Sequence, residues 1–377
     1  MSVNRRWALF AAILIGGCAS DTGPKPAELQ PIANPRPVQL VWSSRSGLAE
    51  GGYVFSPAIA GDALYAAARD GTVIRVDART GVQRWKISAG HMLSAGVGAD
   101  DKLAVVATEK GEVLAIDAAN GNVKWRAQVS SEVLAAPTLG AGLVFVRSAD
   151  SRIYAFAAAD GKREWIFQRS PASLVVRSPA GIVLQGDTAF VGFPGGKLVA
   201  LGVATGNVRW EATVAVPRGA TELERVTDIV GDPAVMGREV CAVAFQGRVA
   251  CFDVRSGNQT WGRDISSLTG VSLDAGYAYV TDERGAVHAF DRSSGRSIWR
   301  QDRLANRGVT LPLPLGNEIV VADFEGYLHF LARDTGAFVA RTETDGYSVL
   351  TAPVALDSGF VVQTQYGDLY AYAPLAK

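Results

Sequence analysis

Histidine, methionine and cysteine are scarce, with three of each in the 377-residue chain. This leaves too few imidazole and sulfur ligands for a haem, copper or multinuclear zinc site. Neither sign of charge is in excess, because 37 Lys and Arg side chains balance 37 Asp and Glu side chains. Proteins that bind the nucleic-acid backbone normally have a basic surplus. The composition therefore argues against a nucleic-acid-binding protein, whereas 48% hydrophobic residues predict a packed core.

Long apolar runs are also missing, except near the N-terminus. Arg5 and Arg6 precede the apolar segment 7–15, and two glycines lead to Cys18. This pattern is typical of a secretory signal peptide and is too short to span a bilayer. The segment Ile15-Gly-Gly-Cys18 resembles a bacterial lipobox, whose cysteine is lipidated and becomes the first residue. We predict a signal peptide at 1–17 and lipidation of Cys18; the alternative is an ordinary signal peptide with an incidental cysteine.

Ala19 stands where an aspartate would favour retention at the inner membrane, so the resemblance implies the outer membrane, facing the periplasm. Five prolines lie between residues 18 and 37. Their spacing favours an extended, semi-rigid chain over a folded element. We predict a lipidated cysteine and proline-rich tether at 18–37, and a protein that is anchored to the membrane without spanning it.

One sequence frame recurs eight times after the tether. The segment from Gly71 to Trp85 is matched by the segment from Gly111 to Trp125, with Asp and Gly at the same offsets. Further copies begin at residues 151, 196, 247, 285, 326 and 367, so the step varies from 38 to 51 residues. Each frame predicts strand, turn and strand, and two shorter strands precede it. Four antiparallel strands per repeat of this length are typical of a propeller blade.

The last copy is incomplete. It stops at Tyr372 without its tryptophan strand, and a matching strand, Val38–Trp42, stands at the other end of the chain. We predict an all-β fold, an eight-bladed β-propeller over 38–377, closed by the N- and C-terminal strands in one blade. The repeated tryptophans should pack between blades. We expect blades three, four and seven to be the least regular, because they depart from the frame at Ser151, Ala157, Gly202, Ala332 and Ala340.

Catalytic or metal-binding patterns do not emerge. His288 and His329 occupy the same strand position of their copies, which favours packing or surface roles, and His91 lies in a connection. Cys241 and Cys251 flank a turn. A two-residue turn would put their sulfurs on opposite faces, whereas a three-residue loop would put them opposite each other. An oxidising periplasm permits a bridge, although we favour free thiols. We expect no enzyme activity, no metal and no cofactor.

The run Asp-x-x-[Thr/Ser/Asn]-Gly-x-x-x-Trp resembles the repeat of the pyrroloquinoline-quinone (PQQ) dehydrogenases, which are also eight-bladed. That resemblance would imply Ca²⁺ and the quinone held over the ring centre, above a disulfide of adjacent cysteines. This chain has no Cys-Cys pair and lacks the long insertions that build the pocket. These differences argue against a PQQ-dependent quinoprotein dehydrogenase, which we keep as the alternative hypothesis.

The lipobox, the tether, the eight blades and the neutral charge together resemble the propeller lipoproteins of the outer-membrane β-barrel assembly (Bam) machinery. The resemblance is most specific at 173–178 and 221–228, where the repeat lengthens. In that family, matching loops dock on the periplasmic POTRA domains of BamA, which inserts barrel proteins. The resemblance implies two contacts: Leu174, Val176 and Arg177 in the first segment, and Glu222, Arg225 and Asp228 in the second. Val230 replaces a second acidic residue of some relatives, which leaves the extent of the second contact open.

The order of strands leads to the same surface. Both segments join the last strand of one blade to the first strand of the next, so they should be neighbours on one face of the ring. Apolar residues beside charged ones are typical of a protein interface; the alternative is long loops with salt bridges of their own. We predict a non-catalytic scaffold of the Bam complex, with nascent outer-membrane proteins as further candidate partners. A third hypothesis is an envelope propeller that binds peptide or glycan.

Overall fold

The computed structural model describes residues 24–48, 52–170 and 174–375 and arranges them in eight four-stranded antiparallel sheets. The first strands of successive sheets contact one another, which makes the sheets the blades of a propeller. Within these described residues, no helix is long and apolar enough to cross a membrane. Cys18 and the segment 1–17 lie outside the described residues. The prediction of an all-β, eight-bladed propeller is confirmed.

Each blade has four strands, given from the innermost to the outermost. Blades one to four contain β2 Ala58–Ala60, β3 Ala63–Ala67, β4 Thr72–Asp77 and β5 Gln83–Ser88; β6 Gly98–Ala99, β7 Leu103–Ala107, β8 Glu112–Asp117 and β9 Val123–Gln128; β10 Thr138–Gly140, β11 Leu143–Ser148, β12 Arg152–Ala157 and β13 Arg163–Gln168; β14 Ile182–Gln185, β15 Thr188–Phe193, β16 Lys197–Gly202 and β17 Val208–Thr213. Blades five to eight contain β18 Ala234–Met236, β19 Glu239–Val243, β20 Arg248–Asp253 and β21 Gln259–Asp264; β22 Val271–Leu273, β23 Tyr277–Thr281, β24 Val287–Asp291 and β25 Ser297–Gln301; β26 Leu313–Leu315, β27 Glu318–Ala322, β28 Tyr327–Ala332 and β29 Phe338–Glu343; β30 Val354–Leu356, β31 Gly359–Gln363, β32 Asp368–Tyr372 and β1 Leu40–Arg45.

The repeated frame forms the third strand, a tight turn and the fourth strand. In blade one, the Asp77 carboxylate accepts hydrogen bonds from the backbone amides of Arg79 and Thr80, at 3.2 and 3.0 Å. The turn closes through the Gly81 amide, which donates to the Asp77 carbonyl at 2.8 Å. Gly81 has a φ of 70°, which glycine adopts without steric strain. Aspartate and glycine therefore recur because this turn needs both.

The expectation that blades three, four and seven would be irregular is wrong. Where Ala157, Gly202 or Ala332 replaces the aspartate, the backbone hydrogen bond that closes the turn is retained at 2.8 or 2.9 Å. Ser151 adopts a φ of 63°, the conformation of the glycine that it replaces. Blades one to seven also share a bulge between their third and fourth strands at the same frame position. The backbone tolerates these substitutions because neighbouring blades pack against both sides of each sheet.

Each repeat tryptophan connects its blade to the next, as expected. The Trp165 Nε1 atom donates to the Val203 carbonyl at 3.0 Å, and a Cβ added to Gly206 would lie 2.5 Å from the Trp165 ring. The indole thus packs flat against the following blade's turn, where only glycine fits. Equivalent indole-to-carbonyl bonds are made by Trp42, Trp85, Trp125, Trp210, Trp261 and Trp299.

Blade seven has Ala340 at the tryptophan position because blade eight has no turn of this kind to receive an indole. The chain ends after the third strand of blade eight, and the fourth strand arrives from the N-terminus. Ala340 is fully buried in a cluster with Tyr372 and Leu375, and Val38 packs against the same cluster. The two chain ends thus fill the space that an indole fills elsewhere.

Ring closure occurs where the sequence predicted it. β1 pairs antiparallel with β32, with Trp42 opposite Ala371 and Arg45 opposite Asp368. The Ser46 amide extends the pairing by donating to the Gly367 carbonyl at 2.9 Å. The first and last strands of the propeller are therefore sequestered in one sheet and leave no open edge there.

Cys241 and Cys251 form a disulfide, so the preference for free thiols is wrong. The two residues lie directly opposite each other on β19 and β20, and both are fully buried. Beyond the strand ends, the Ala244 amide donates to the Arg248 carbonyl at 3.0 Å. This leaves a connecting loop of three residues, 245–247, in which Gln246 takes a φ of 48°. The longer of the two loop lengths considered for this turn is therefore the one present, and it brings the sulfurs to the same face.

Candidate partner-binding face

The two longest blade connections lie on one face of the ring. The first insertion, residues 169–181, joins β13 to β14, and the second insertion, residues 214–233, joins β17 to β18. Both follow a fourth strand, so they leave the sheet on the side that also carries the hairpins between second and third strands. We call this side the insertion face.

Asp228 fastens the two insertions together. Its carboxylate accepts a hydrogen bond from the Val176 amide at 2.7 Å and another from the Gly195 amide at 3.1 Å. Asp228 is only 4% exposed. A buried carboxylate that accepts two amide hydrogen bonds is a charge-assisted support for the backbone. The structure therefore brings Asp228 and Val176 together, with Asp228 beneath the surface as a positioning residue.

A second aspartate supports the base of the first insertion. Asp232 accepts a hydrogen bond from the Gly181 amide at 2.5 Å, and the Arg147 Nη1 atom donates to the Ala180 carbonyl at 2.9 Å. Part of the Asp232 side chain reaches solvent. Even so, the surrounding protein desolvates it and raises its pKa, against the opposing effects of the Gly181 hydrogen bond and the Arg147 charge. Desolvation also lowers the pKa of Arg147 to about 10.

Arg177 is held half-exposed on the insertion face. Its Nη2 atom lies 2.9 Å from Glu132 Oε1, and half of its side-chain surface remains accessible. The guanidinium lies over the Tyr53 ring, 4.6 Å from the centroid, and the Tyr53 hydroxyl donates to Glu132 at 2.9 Å. Arg69 also lies over this ring, at 4.0 Å. Ion pairing and cation–π contact together limit the rotamers of Arg177.

Tyr53 and Glu132 were not identified from the sequence. Each lies in a connection that leads into the first strand of a blade, as the two insertions do. Their shared position in the repeat places them on the same face, and this was the only available signal. Glu132 lies 45 residues from Arg177 in the sequence, so the sequence gives no sign of their contact.

Apolar side chains are exposed in both insertions. Leu174 and Val175 are 46% and 41% exposed, and in the second insertion Val216 and Leu223 are 62% and 68% exposed. Large apolar residues clustered on an otherwise polar surface commonly mark a protein contact. A cavity of about 230 Å³ lies beneath Val176 and Arg177 and extends to Leu134.

Glu222 and Arg225 project from a capped turn in the second insertion. The Thr221 hydroxyl accepts a hydrogen bond from the Glu224 amide, and the Glu224 carboxylate accepts one from the Thr221 amide. This reciprocal pair is a capping box. The Thr221 amide, followed by the Ala220 amide, lowers the pKa of Glu224 by donating to its carboxylate. The Arg225 Nε atom donates to the Gly219 carbonyl at 3.0 Å. Among the described residues, no hydrogen bond or ion pair connects Glu222 or Arg225 to the first insertion.

In the described part of the chain, the one group with metal-ligand spacing consists of Glu239, Cys241 and Cys251. Both sulfurs of that group are joined in the disulfide. What the insertion face offers is an exposed guanidinium, apolar side chains and a backbone hydrogen-bonded at Val176 and Gly181, which suits recognition of another protein.

The fold defines an eight-bladed propeller of the PQQ-like repeat class. Residues 69–301 match the family described as "Outer membrane protein assembly factor BamB". Proteins of that name from Bordetella pertussis and Pseudomonas aeruginosa are 44% and 43% identical to this chain, each over 97% of both sequences. The chain belongs to the BamB family.

Solved structures agree with this assignment. The crystal structure of BamB from Moraxella catarrhalis matches with a TM-score of 0.82 at 26% identity, over 89% of this chain and 100% of that one. The quinohemoprotein alcohol dehydrogenase from Comamonas testosteroni matches with a TM-score of 0.71 at 14% identity, over 90% of this chain and 77% of that one. The likeness to the dehydrogenase is one of fold alone.

Proposed function

We propose that this protein is a non-catalytic scaffold lipoprotein of the Bam complex that assists insertion of β-barrel proteins into the outer membrane. It is held at the periplasmic side of that membrane by a lipid on Cys18. Its insertion face docks on the POTRA domains of BamA, which connect it to the rest of the complex. Membership of the BamB family supports the assembly role, and the ordered insertion face supports the contact.

The observation that carries the docking proposal is the support of Arg177 from two sides. Asp228 fixes the backbone of the preceding residue, while Glu132 and Tyr53 hold the guanidinium. The side chain is thereby pre-organised, so little conformational entropy is lost when it binds. Its planar donors suit a carboxylate or backbone carbonyls of the partner. Leu174 and Val175 supply the apolar area around it.

Affinity for the isolated POTRA domains tests this contact. Truncation of an interface arginine that becomes desolvated costs about 2 kcal/mol or more, roughly a thirtyfold loss of affinity. We expect this loss for Arg177→Ala. Arg238→Ala is a matched control, because Arg238 is an exposed arginine paired with Asp253 at 3.0 Å on the opposite face. If Arg177→Ala binds like the parent and Arg238→Ala loses binding, the contact lies on the face opposite the insertion face, and the proposal is wrong.

Lipid anchoring has a separate test. We expect Cys18→Ser to leave the protein soluble or unprocessed and absent from outer-membrane fractions. A mature parent protein that begins at a residue other than Cys18 contradicts the anchor. Docking should be only partly weakened in vivo, because a tether mainly raises effective concentration.

A quinoprotein dehydrogenase is the alternative function, and its support is limited to the shared fold. Addition of PQQ and Ca²⁺ should produce neither a spectral change nor dye reduction with alcohol substrates. Quinone-dependent dye reduction would overturn the non-catalytic assignment.

A further inference from the structure

Residues 24–37 lie against the outer side of blade seven. The Arg36 amide donates to the Val339 carbonyl of β29 at 2.9 Å, and the Ala27 amide donates to the Ala305 carbonyl at 2.8 Å. Ala305 belongs to the connection from blade six to blade seven, which opens on the insertion face. The segment thus runs along the fourth strand of blade seven and reaches the insertion face at its N-terminal end.

Two arginines of blade seven bind this segment through its carbonyl groups. Arg307 Nη1 donates to the Ala27 carbonyl at 3.1 Å, and Arg341 Nη1 donates to the Gln30 carbonyl at 3.0 Å. Arg307 is 3% exposed. A buried arginine that donates to the main chain of a distant segment holds that segment in one register.

Both arginines are themselves oriented by a buried pair. Arg307 Nε donates to Asp323 at 2.7 Å, and Arg341 Nε donates to His329 Nδ1 at 3.1 Å. His329 Nε2 lies 3.0 Å from the same aspartate, and both residues are fully buried. With Nδ1 accepting from Arg341, the imidazole is neutral and carries its proton on Nε2. His329 is thus the packing residue expected from the sequence, with the added role of orienting Arg341.

Apolar and ionic contacts complete the interface. Leu29 packs against a buried cluster between blades six and seven, as Ile298 and Phe338 do. Arg36 forms an ion pair with Glu318 at 2.6 Å. The contacts therefore extend from residue 27 to residue 36 and combine main-chain hydrogen bonds, an ion pair and apolar burial.

We propose that residues 25–36 are a docked strap, a fixed part of the propeller that directs the insertion face towards the lipid surface. This inference rests on the proposed lipidation of Cys18. The chain takes seven residue-to-residue steps from Cys18 to Lys25 and can span at most about 25 Å there, whereas a free tether from Cys18 to Val38 would span about 70 Å. The strap therefore brings the rim of the insertion face at blades six and seven to within about 25 Å of the membrane.

Amide hydrogen exchange of the mature, full-length protein tests the docking without any need for lipid. We expect the Ala27 and Arg36 amides to exchange at least tenfold more slowly than in an unstructured peptide, because both are hydrogen-bonded in the structure. Leu29→Ser should abolish this protection with little change in the thermal midpoint of the propeller. Arg341→Ala should also abolish it, and Arg300→Ala serves as control because the side-chain ion pair of Arg300 is with Asp302 and not with a strap residue. Unprotected Ala27 and Arg36 amides in the parent would overturn the strap.

Energy transfer in phospholipid vesicles tests the orientation. The lipidated protein is labelled at Arg284→Cys on the insertion face or at Arg296→Cys on the opposite face of the same blade, with acceptors on the lipid headgroups. We expect stronger transfer from position 284 and a reduced difference after Leu29→Ser. Equal transfer from both positions overturns the orientation. Failure to associate with vesicles while the strap amides remain protected would instead contradict the proposed lipidation.

Discussion

At the scale of single residues, aspartate has two structural roles in this propeller: it stabilises turns, and it joins separate connections. Asp77, Asp253 and Asp291 accept amide hydrogen bonds within their own turns. Asp228 and Asp232 accept them from another connection, 52 and 51 residues away. The short side chain suits both roles because it reaches a nearby amide with few rotatable bonds. Only the turn aspartates form a recurrent pattern in the sequence.

Removal of the Asp228 carboxylate should loosen the insertion face while sparing the blades. Asp228→Ala leaves the Val176 and Gly195 amides without their acceptor, and a buried unpaired group costs about 1–3 kcal/mol. We expect faster exchange of the Val176 amide and weaker POTRA binding. Glu222→Ala, at an exposed position, should leave Val176 protection unchanged. A protected Val176 amide in Asp228→Ala would show that another group holds the insertion.

The turn aspartates should make the stability of the protein depend on pH in the acid range. The backbone amide of Ser256, followed by Arg238, lowers the pKa of Asp253 to about 2. The pKa of an aspartate in the unfolded chain is about 3.9, so the contribution of Asp253 to stability is complete above that pH. It is lost as the pH falls from about 4 to about 2. Carboxyl NMR should show this low pKa, and Asp253→Asn should flatten the loss of stability in that window. Titration of Asp253 at its ordinary pKa would contradict the turn geometry.

At the scale of elements, the tryptophan and glycine of successive frames act as one unit across the blade boundary. Gly206→Ala and Gly186→Ala form a matched pair, because both glycines have positive φ but only Gly206 lies against an indole. The left-handed conformation alone should cost about 1–2 kcal/mol in each variant. The clash with Trp165 should add about 1–3 kcal/mol in Gly206→Ala. Denaturant midpoints measure the difference, and equal midpoints would mean that the indole moves aside freely.

Prediction from the sequence worked best where the repeat supplies independent copies. Eight frames located the strands, the turns and the closure of the ring, because each frame repeats one local requirement. The disulfide was misjudged because it depends on one loop length, and a single loop has no copies to compare. The surroundings of Arg177 could not be foreseen, because Tyr53 and Glu132 come from other blades and meet only in the closed ring. The contacts of residues 25–36 could not be foreseen for the same reason, because they depend on arginines 280 and 311 positions away.

At the scale of the whole molecule, stability should depend on closure by β1 far more than on the strap. Removal of 24–45 takes away the partner of β32 and the indole that packs against Gly81, so blades eight and one lose their shared contacts. An unpaired strand edge also invites association with other chains. Removal of 24–37 alone leaves β1 and Trp42 in place and serves as the control. Thermal unfolding and light scattering should show a destabilised, aggregating protein in the first case and a monomer with a near-parent midpoint in the second. Equal stability of the two truncated proteins would mean that blade eight does not need the N-terminal strand.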